Sequence, residues 1–410
     1  MFELISQKKI NLPIGYKMAG IHCGIKKSKK DLGVIYSVEK ANAAAVFTTN
    51  KVKAAPVLLS MKNIENNEIQ AIIVNSGNAN ACTGEKGYSD SLEMASKTAL
   101  ALNILPEDVF VCSTGVIGMP LDMEKIVSGI TKISQILSIE SEKNDDLLNF
   151  ANAIMTTDTF PKVYSKEVLI HGKKITIVGI AKGSGMIHPN MATMLSFILT
   201  DANIEKSALN KALKNSVSDS YNMISVDGDT STNDTVAILA NKKAANEEIF
   251  EDTEEFDIFC EALNEVNTAL AKMIVKDGEG ATKFLEVEVA GAKTVEDAKL
   301  ISRTVIKSNL VKTAFFGEDA NWGRIIAAAG YSGANFDPGN VDIYLENKIG
   351  KINVCQNGHF INFSEEKAKE ILKEKEIKIL INLREGKEKA VSWGCDMSYD
   401  YIKINGGYRS

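Results

Sequence analysis

Short apolar runs punctuated by glycine turns alternate, along the first half of the chain, with stretches whose apolar residues recur every three or four positions. The first pattern predicts strands and the second helices. Val34–Ser37 and Ala44–Thr48 read as strands. Gln70–Val74 reads as a buried strand that empties into Asn75–Gly84 (NSGNANACTG), a run rich in residues that tolerate left-handed backbone. Such a run suits a polar site and a structural turn equally well. Ser89–Leu102 places Leu92, Ala95, Ala99 and Leu102 on one helical face. Val109–Cys112 is a further strand running into Ser113-Thr114-Gly115, and Pro120 with Asp122 opens a helix to about Leu137. Ile154–Thr159 (IMTTDT) sets three threonines around an aspartate, either as a strand end or helix cap or as a row of hydroxyls facing a ligand.

Val163–Ile170 and Lys174–Ile180 form a hairpin across His171-Gly172, which makes His171 an exposed turn residue. The hairpin delivers the chain to Lys182–Leu195 (KGSGMIHPNMATML). There Gly183, Gly185 and Pro189 oppose any regular element. The run Met194–Leu199 is short and apolar, a buried strand. Ala192 and Thr193 therefore stand where an irregular loop enters a core strand, and a hydroxyl there is held rigidly at the edge of whatever the loop lines.

A helix over Ile204–Tyr221 leads to Ser225–Thr235 (SVDGDTSTNDT). Its acids invite a calcium loop, but a loop opening at Asp227 needs glycine and glutamate where Thr232 and Ile238 stand. Thr235–Ala240 reads as a strand and Glu254–Val275 as a long helix with Phe256, Phe259, Leu263, Val266 and Leu270 on one face. Lys276–Lys283 is a turn with Glu279 between two glycines. The pattern then restarts with a strand Phe284–Val289, a helix Val295–Val311, the segment Phe315–Arg324, and shorter strands near Asp342, Ile352, Ile377 and Tyr401. The class is mixed α/β, and the hairpin argues against a purely parallel, doubly wound sheet.

The chain has 410 residues, 45% of them hydrophobic and 24% charged, an ordinary globular composition with room for two or three domains. A formal net charge of −6 argues against nucleic acid as the main partner, and the Lys26–Lys30 cluster reads as a solvated loop. No window approaches 18 uninterrupted apolar residues, so no membrane span is expected, and the first ten residues lack the apolar core of a secretory signal. The expected location is the cytoplasm. The six cysteines are scattered, without metal-ligand spacing, and read as reduced, mostly buried thiols. Four scattered histidines limit ordinary general-base chemistry. Phosphate-binding, serine-hydrolase and zinc-protease signatures are all missing.

What remains is Thr193, with Lys182 eleven residues upstream. A threonine hydroxyl becomes a useful nucleophile when a base takes its proton, and one such base is the residue's own α-amine, with a pKa of roughly 7.7–8.0. That requires the Ala192–Thr193 bond to break, by attack of the Thr193 hydroxyl on the Ala192 carbonyl and hydrolysis of the resulting ester. Most loop threonines, by contrast, are caps or turn residues.

The stretch KGSGMIHPNMATML resembles the self-cleavage motif of the ornithine acetyltransferase family. The likeness continues, in family order, through AGIHCGIK (Ala19–Lys26), FTTNKVKAAPV (Phe47–Val57), NSGNANACTG, CSTGVIG (Cys112–Gly118) and MTTDT. It runs on through DGDTSTNDT, DGEGATK, GEDANWGRIIAAAGYSG (Gly317–Gly333) and the closing YIKINGGYRS. Departures are Ala320 where proline is common, Gly406-Gly407 in place of a small-then-acidic pair, and Ser410 where threonine is frequent. The resemblance implies an αββα two-layer sandwich core over residues 1–283, cleaved between 192 and 193. It also implies a smaller C-terminal α/β domain over 284–410 whose tail returns to the active site, and a heterotetramer of two 1–192 and two 193–410 chains.

The implied activity belongs to arginine biosynthesis. Acetyl would pass from N-acetylornithine to glutamate in a ping-pong reaction through acetyl-Thr193, with acetyl-CoA as a further donor and no metal or other cofactor. By the same resemblance Thr193 is the nucleophile, freed by cleavage after Ala192. Thr114 and Gly115 are similar to an oxyanion-hole pair, where one donor is worth about 3 kcal/mol of barrier. Lys182 looks like a lysine that pairs with a substrate carboxylate and lowers the pKa of the nearby amine. Glu279 resembles the partner of the ornithine amine, and Thr156 or Thr157, Asn405 and Ser410 match polar substrate contacts. No role is implied for His188. Two other classes stand beside this one: a self-processing amidohydrolase or aminopeptidase that passes the acyl group to water, and a non-catalytic amino-acid-binding protein.

Overall fold

The computed structural model describes residues 10–65, 68–138, 143–188 and 194–407. Ala192, Thr193 and Ser410 lie outside the described residues. The strands of the first half are β1 (Tyr16–Ile21), β2 (Leu32–Phe47), β3 (Glu68–Asn78), β4 (Val109–Val116), β5 (Lys162–Ile170), β6 (Lys173–Lys182) and β7 (Leu195–Thr200). Between them run α1 (Ala55–Glu65), α2 (Gly84–Leu102), α3 (Met123–Leu137) and α4 (Lys143–Ile154). The chain continues with α5 (Lys206–Asp219), β8 (Ile224–Ser225), β9 (Thr235–Ala240), α6 (Glu254–Lys276), β10 (Phe284–Ala292), α7 (Val295–Lys307), α8 (Asn309–Phe316) and α9 (Trp322–Gly330). It closes with β11 (Asp342–Glu346), β12 (Lys351–Gln356), β13 (His359–Phe360), α10 (Glu365–Lys373), β14 (Glu376–Asn382), β15 (Glu388–Cys395) and α11 (Tyr399–Gly406).

The first sheet has strand order β4-β3-β2-β9-β7-β6-β5, with β1 paired to β2. Its central strands β7 (LSFILT) and β9 (TVAILA) are buried at every position, as near-continuous apolar runs covered on both faces should be. The sheet folds back on itself. One cluster packs Ile35, Ile72, Val74 and Phe110 from β2–β4 against Val178, Ile180, Phe197 and Leu239 from β6, β7 and β9. The outer faces are covered by helices. Ala71, Ile73, Val109 and Val111 meet α2 and α3, and Ile175, Ile177, Ile198 and Ile238 meet α5 and α6. This is the expected αββα layering. The fold-back falls on β2, a single 16-residue strand where the apolar pattern predicted two. Its register shifts between Tyr36 and Ala41. The exposed Glu39 and Lys40 interrupt the pattern there, and Lys40 pairs with Asp108 at 2.9 Å.

The second sheet, β13-β12-β11-β14-β10-β15-β8, is drawn from residues after 283 except for β8, which pairs parallel to β15. One continuous core joins α6 and the first sheet to β10, α7 and the second sheet. Three expectations change here. The predicted helix Val295–Val311 breaks at Ser308, whose side chain caps α8 by accepting from the Val311 N–H. The predicted strand near Tyr401 is the helix α11, while the strand β15 went unread. On α2, Leu92 is 43% exposed, and Ser91, Met94, Ala95, Thr98 and Ala99 form the buried face. No described helix is long and apolar enough to cross a membrane.

Candidate active site

Strands β3 and β4 run parallel, bringing Gly77 opposite Gly115. Gly115 has φ +133°, and a β-carbon there would lie 2.3 Å from the Gly77 carbonyl carbon and 2.5 Å from the Asn78 nitrogen. No other residue fits. Both strands extend past their apolar runs, so Asn75–Asn78 and Ser113–Val116 are strand rather than loop. The asparagines serve the backbone. Asn75 Nδ2 donates to the Asn78 carbonyl at 2.9 Å and Ser113 Oγ to Asn75 Oδ1 at 2.5 Å, while Asn78 Nδ2 reaches the Met119 and Pro120 carbonyls at 3.0 and 2.9 Å. Of the two readings open for that run, the structural one describes these side chains.

Helix α4 ends at Ile154 and the chain turns through Thr156, Thr157 and Asp158 into β5. Lys182, the last residue of β6, is buried and points its ammonium at this turn, donating to Thr156 Oγ1 at 2.9 Å and to Thr114 Oγ1 at 3.4 Å. Burial pushes its pKa below the ordinary lysine value, against the pull of Asp158. Asp158 is itself fully enclosed and accepts from Lys162 Nζ at 2.7 Å. Burial favours its neutral form, but the Lys162 and Lys182 ammonium groups overcome that and hold it well below the usual carboxylate range. Lys162 Nζ also donates to Asp277 Oδ2 at 2.6 Å. Asp277 accepts in turn from the Thr159 N–H at 3.0 Å and from its hydroxyl.

After Lys182 the chain turns at Gly183 (φ +153°) and Met186 (φ +55°). Asp227 fixes this loop by accepting from the Met186 and Ile187 N–H groups at 2.6 and 2.8 Å, and Thr230 Oγ1 donates to the His188 carbonyl at 2.9 Å. Gly185 leaves room for Glu279, since a β-carbon there would sit 2.3 Å from the carboxylate carbon. Glu279 follows α6 and is nearly buried. Its Oε2 accepts from Asn405 Nδ2 at 2.8 Å, brought back by α11.

These pieces line one cavity of about 270 Å3, just below the roughly 300–1,000 Å3 of drug-sized clefts. Thr114, Gly115, Val116 and Ile117 line one side, Thr156, Thr157 and Lys182 a second, and Gly185, Met186, Glu279 and Asn405 a third. Met194 and Leu195, on the far side of Thr193, also line it. The remaining wall is Ser231–Asp234, which the sequence offered only as a rejected calcium loop and part of the family likeness. There Asn233 Nδ2 donates to the Ala79 and Ser113 carbonyls at 2.6 and 2.8 Å, pinning this wall to the end of β4. Lys162 and Asp277 also went unread as part of the site. Their link to Asp158 spans a fold rather than a motif. Of the candidates, Thr114, Gly115, Thr156, Thr157, Lys182, Glu279 and Asn405 share the cavity, and Lys182 engages Thr156 rather than Thr157. His171 is exposed on its turn, 3.1 Å from Glu255. Among the described residues no three His, Cys, Asp or Glu side chains converge as metal ligands would.

The ArgJ family model matches residues 17–410. The chain is 59% identical over 402 residues to the arginine biosynthesis bifunctional protein ArgJ of Caldanaerobacter subterraneus subsp. tengcongensis, covering 98% of each chain. It is 57% identical over 401 residues to the protein of the same name from Thermotoga neapolitana, covering 97% of this chain and 100% of that one. Among solved structures, the crystal structure of the arginine biosynthesis bifunctional protein argJ of Bacillus halodurans is 45% identical with a TM-score of 0.50, covering 53% of this chain and all of that one. With near-complete coverage at this identity, the chain belongs to the ArgJ family.

Proposed function

We propose that the chain is an acetyltransferase of arginine biosynthesis that carries an acetyl group from N-acetylornithine to glutamate on Thr193. The observation that carries this reading is the single cavity on which Met194, next in chain to Thr193, meets Thr114, Gly115, Lys182 and Glu279. A cavity of amino-acid size with a lysine at one wall and a glutamate at another suits a zwitterion. Lys182 takes the α-carboxylate and Glu279, steadied by Asn405, takes an ammonium group, with Thr156, Thr157 and Ser410 as further polar contacts.

The Thr193 hydroxyl first attacks the Ala192 carbonyl, the peptide carbon–nitrogen bond breaks to leave an ester and a free Thr193 α-amine, and water then hydrolyses the ester to an Ala192 carboxylate and the free Thr193 hydroxyl. That amine then accepts the hydroxyl proton as the oxygen attacks the acetyl carbon of N-acetylornithine. Thr114 and Gly115 stabilise the tetrahedral oxyanion. The carbon–nitrogen bond breaks, the α-ammonium returns its proton to the departing amine, and ornithine leaves. Glutamate enters the same cavity, its amine attacks acetyl-Thr193, and N-acetylglutamate leaves. Acetyl-CoA would serve as a further donor to Thr193, with a thiolate as leaving group. Nothing in this sequence of steps calls for a metal or a bound cofactor. The enzyme would work in the cytoplasm as a tetramer of two 1–192 and two 193–410 chains.

The Bacillus halodurans comparison supports the cleavage. That solved chain is matched over its whole length yet spans 53% of this one, the share of a 193–410 fragment, since 410 − 192 = 218 and 218/410 is 53%. Intact mass should show fragments of 192 and 218 residues, and Thr193→Ala should give one uncut, inactive chain. Supplied with N-acetylornithine and glutamate, the purified enzyme should form N-acetylglutamate and ornithine in equal amounts. Free acetate without N-acetylglutamate would mean that water is the acceptor, and would overturn the transferase reading.

A further inference from the structure

Asp158 receives more of the site than any other single side chain described above. Its Oδ1 accepts from Lys162 Nζ at 2.7 Å and from the Gly183 N–H at 2.6 Å, and its Oδ2 accepts from the Thr156 N–H at 2.9 Å and faces Lys182 Nζ at 3.9 Å. Its side chain has no exposed surface. One carboxylate thus touches both backbone segments that flank Lys182, together with the ammonium itself. Around Lys182 stand Asp158, Asp234 and Glu279 as acids and Lys162 as a further cation, and Lys26 senses the same charge from the loop after β1. Lys162 has a second carboxylate in Asp277, and among the described residues Lys182 reaches no acid other than Asp158 within ion-pair distance. Two cations enclosed together repel and shed their protons unless an anion lies between them.

We propose that Asp158 is the positioning residue of this site, holding Lys182 as an ammonium ion and fixing Thr156 and Gly183 on either side of it. The inference rests on the functional reading above, in which Lys182 accepts the substrate carboxylate. Burial alone works against a charged Lys182, so the anion beside it decides how much of the lysine is ready for a carboxylate near neutral pH. Lys162, itself anchored on Asp277, completes the arrangement by holding Asp158 ionised and oriented from behind. Lys162, from β5, joins the α4–β5 turn to the end of α6.

The test uses the full-length, self-processed enzyme. The midpoint of Lys182 ammonium titration is read from the 13Cε signals of labelled lysine, assigned with Lys182→Arg, in the wild type and in Asp158→Asn. A midpoint lowered by about one unit or more in Asp158→Asn is expected, and an unchanged midpoint would overturn the proposal. In kinetics, the KM for N-acetylornithine in Asp158→Asn should rise about tenfold per pH unit above the lowered midpoint, with kcat little changed. Equal losses in kcat and kcat/KM at every pH would indicate a merely structural role and also overturn it. Asp277→Asn, which removes a carboxylate from Lys162 and Thr159 but leaves the Asp158–Lys182 contact in place, should lower Tm and leave the KM–pH profile in place. Should Asp158→Asn remain unfolded or uncut, Asp158→Glu carries the test. Its charge sits one methylene further out, so a displaced midpoint supports the proposal and a wild-type midpoint removes it. A wild type that transfers no acetyl group would retire the functional reading alone, since the lysine titration still decides the role of Asp158.

Discussion

At Gly185 the absent β-carbon is what allows the Glu279 carboxylate to close on the cavity. The atoms that would clash are the far end of a side chain, so Gly185→Ala should fold, move Glu279 aside and raise the KM for N-acetylornithine about tenfold. That corresponds to one charge-assisted hydrogen bond of about 1.5 kcal/mol, and steady-state kinetics beside a Tm measurement separates it from a folding defect. Asp158 makes a prediction of the opposite kind, about stability and acid. Its native pKa is depressed by Lys162 and Lys182 against burial, so between that value and the ordinary value of about 3.9 the unfolded chain binds more protons than the folded one. Its contribution is complete above the ordinary value and is lost as pH falls through the native one. Urea unfolding from about pH 5 down to pH 2 should therefore show the stability gap between the wild type and Asp158→Asn narrowing. Residue types such as Thr114, Gly115 and Glu279 were legible in the sequence because a motif carries them. The contact of Gly115 with Gly77 and the chain Asp158–Lys162–Asp277 were not, because each joins segments that only the sheet and the end of α6 bring together.

At the scale of elements, apolar period was a good guide wherever one face is buried. The predicted stripe Phe256, Phe259, Leu263, Val266 and Leu270 is buried along the whole of α6, and Thr253 caps that helix by accepting from the Phe256 N–H at 3.2 Å. The period misled where burial did not follow it. Tyr401-Ile402-Lys403-Ile404-Asn405 alternates as a half-buried strand would, yet α11 has no buried residue, so neither face had a core to select strand over helix. The apolar stripe of α7 runs on into α8 through Val305 and Val311, which hides a break that belongs to Ser308. Removing that cap should cost about 1 kcal/mol. Chemical denaturation of Ser308→Ala should show this loss with an unchanged m-value, since the surface exposed on unfolding stays the same.

For the whole molecule, the mixed α/β class was legible from the hairpin and the layer order from the family likeness, but not the way one sheet makes both inner layers. Exposed charges at Glu39 and Lys40 interrupt the apolar pattern where the sheet folds back, and only pairing on both sides of β2 reveals a continuous strand. The strand order has a further consequence. β9 and β7 follow Thr193 in the chain, and they lie between β2 and β6, which precede Ala192. Once the backbone opens at that bond, the sheet is a weave of two polypeptides joined along two hydrogen-bonded seams, and neither leaves without tearing both. The scission also changes the molecularity of folding. The uncut chain finds its sheet alone, whereas the cut partners must meet, so the Tm of the mature enzyme should climb with protein concentration while that of Thr193→Ala stays level. On the proposed reaction, folding would make the bond break, and the broken bond would make the fold an event each pair of chains completes from a single precursor.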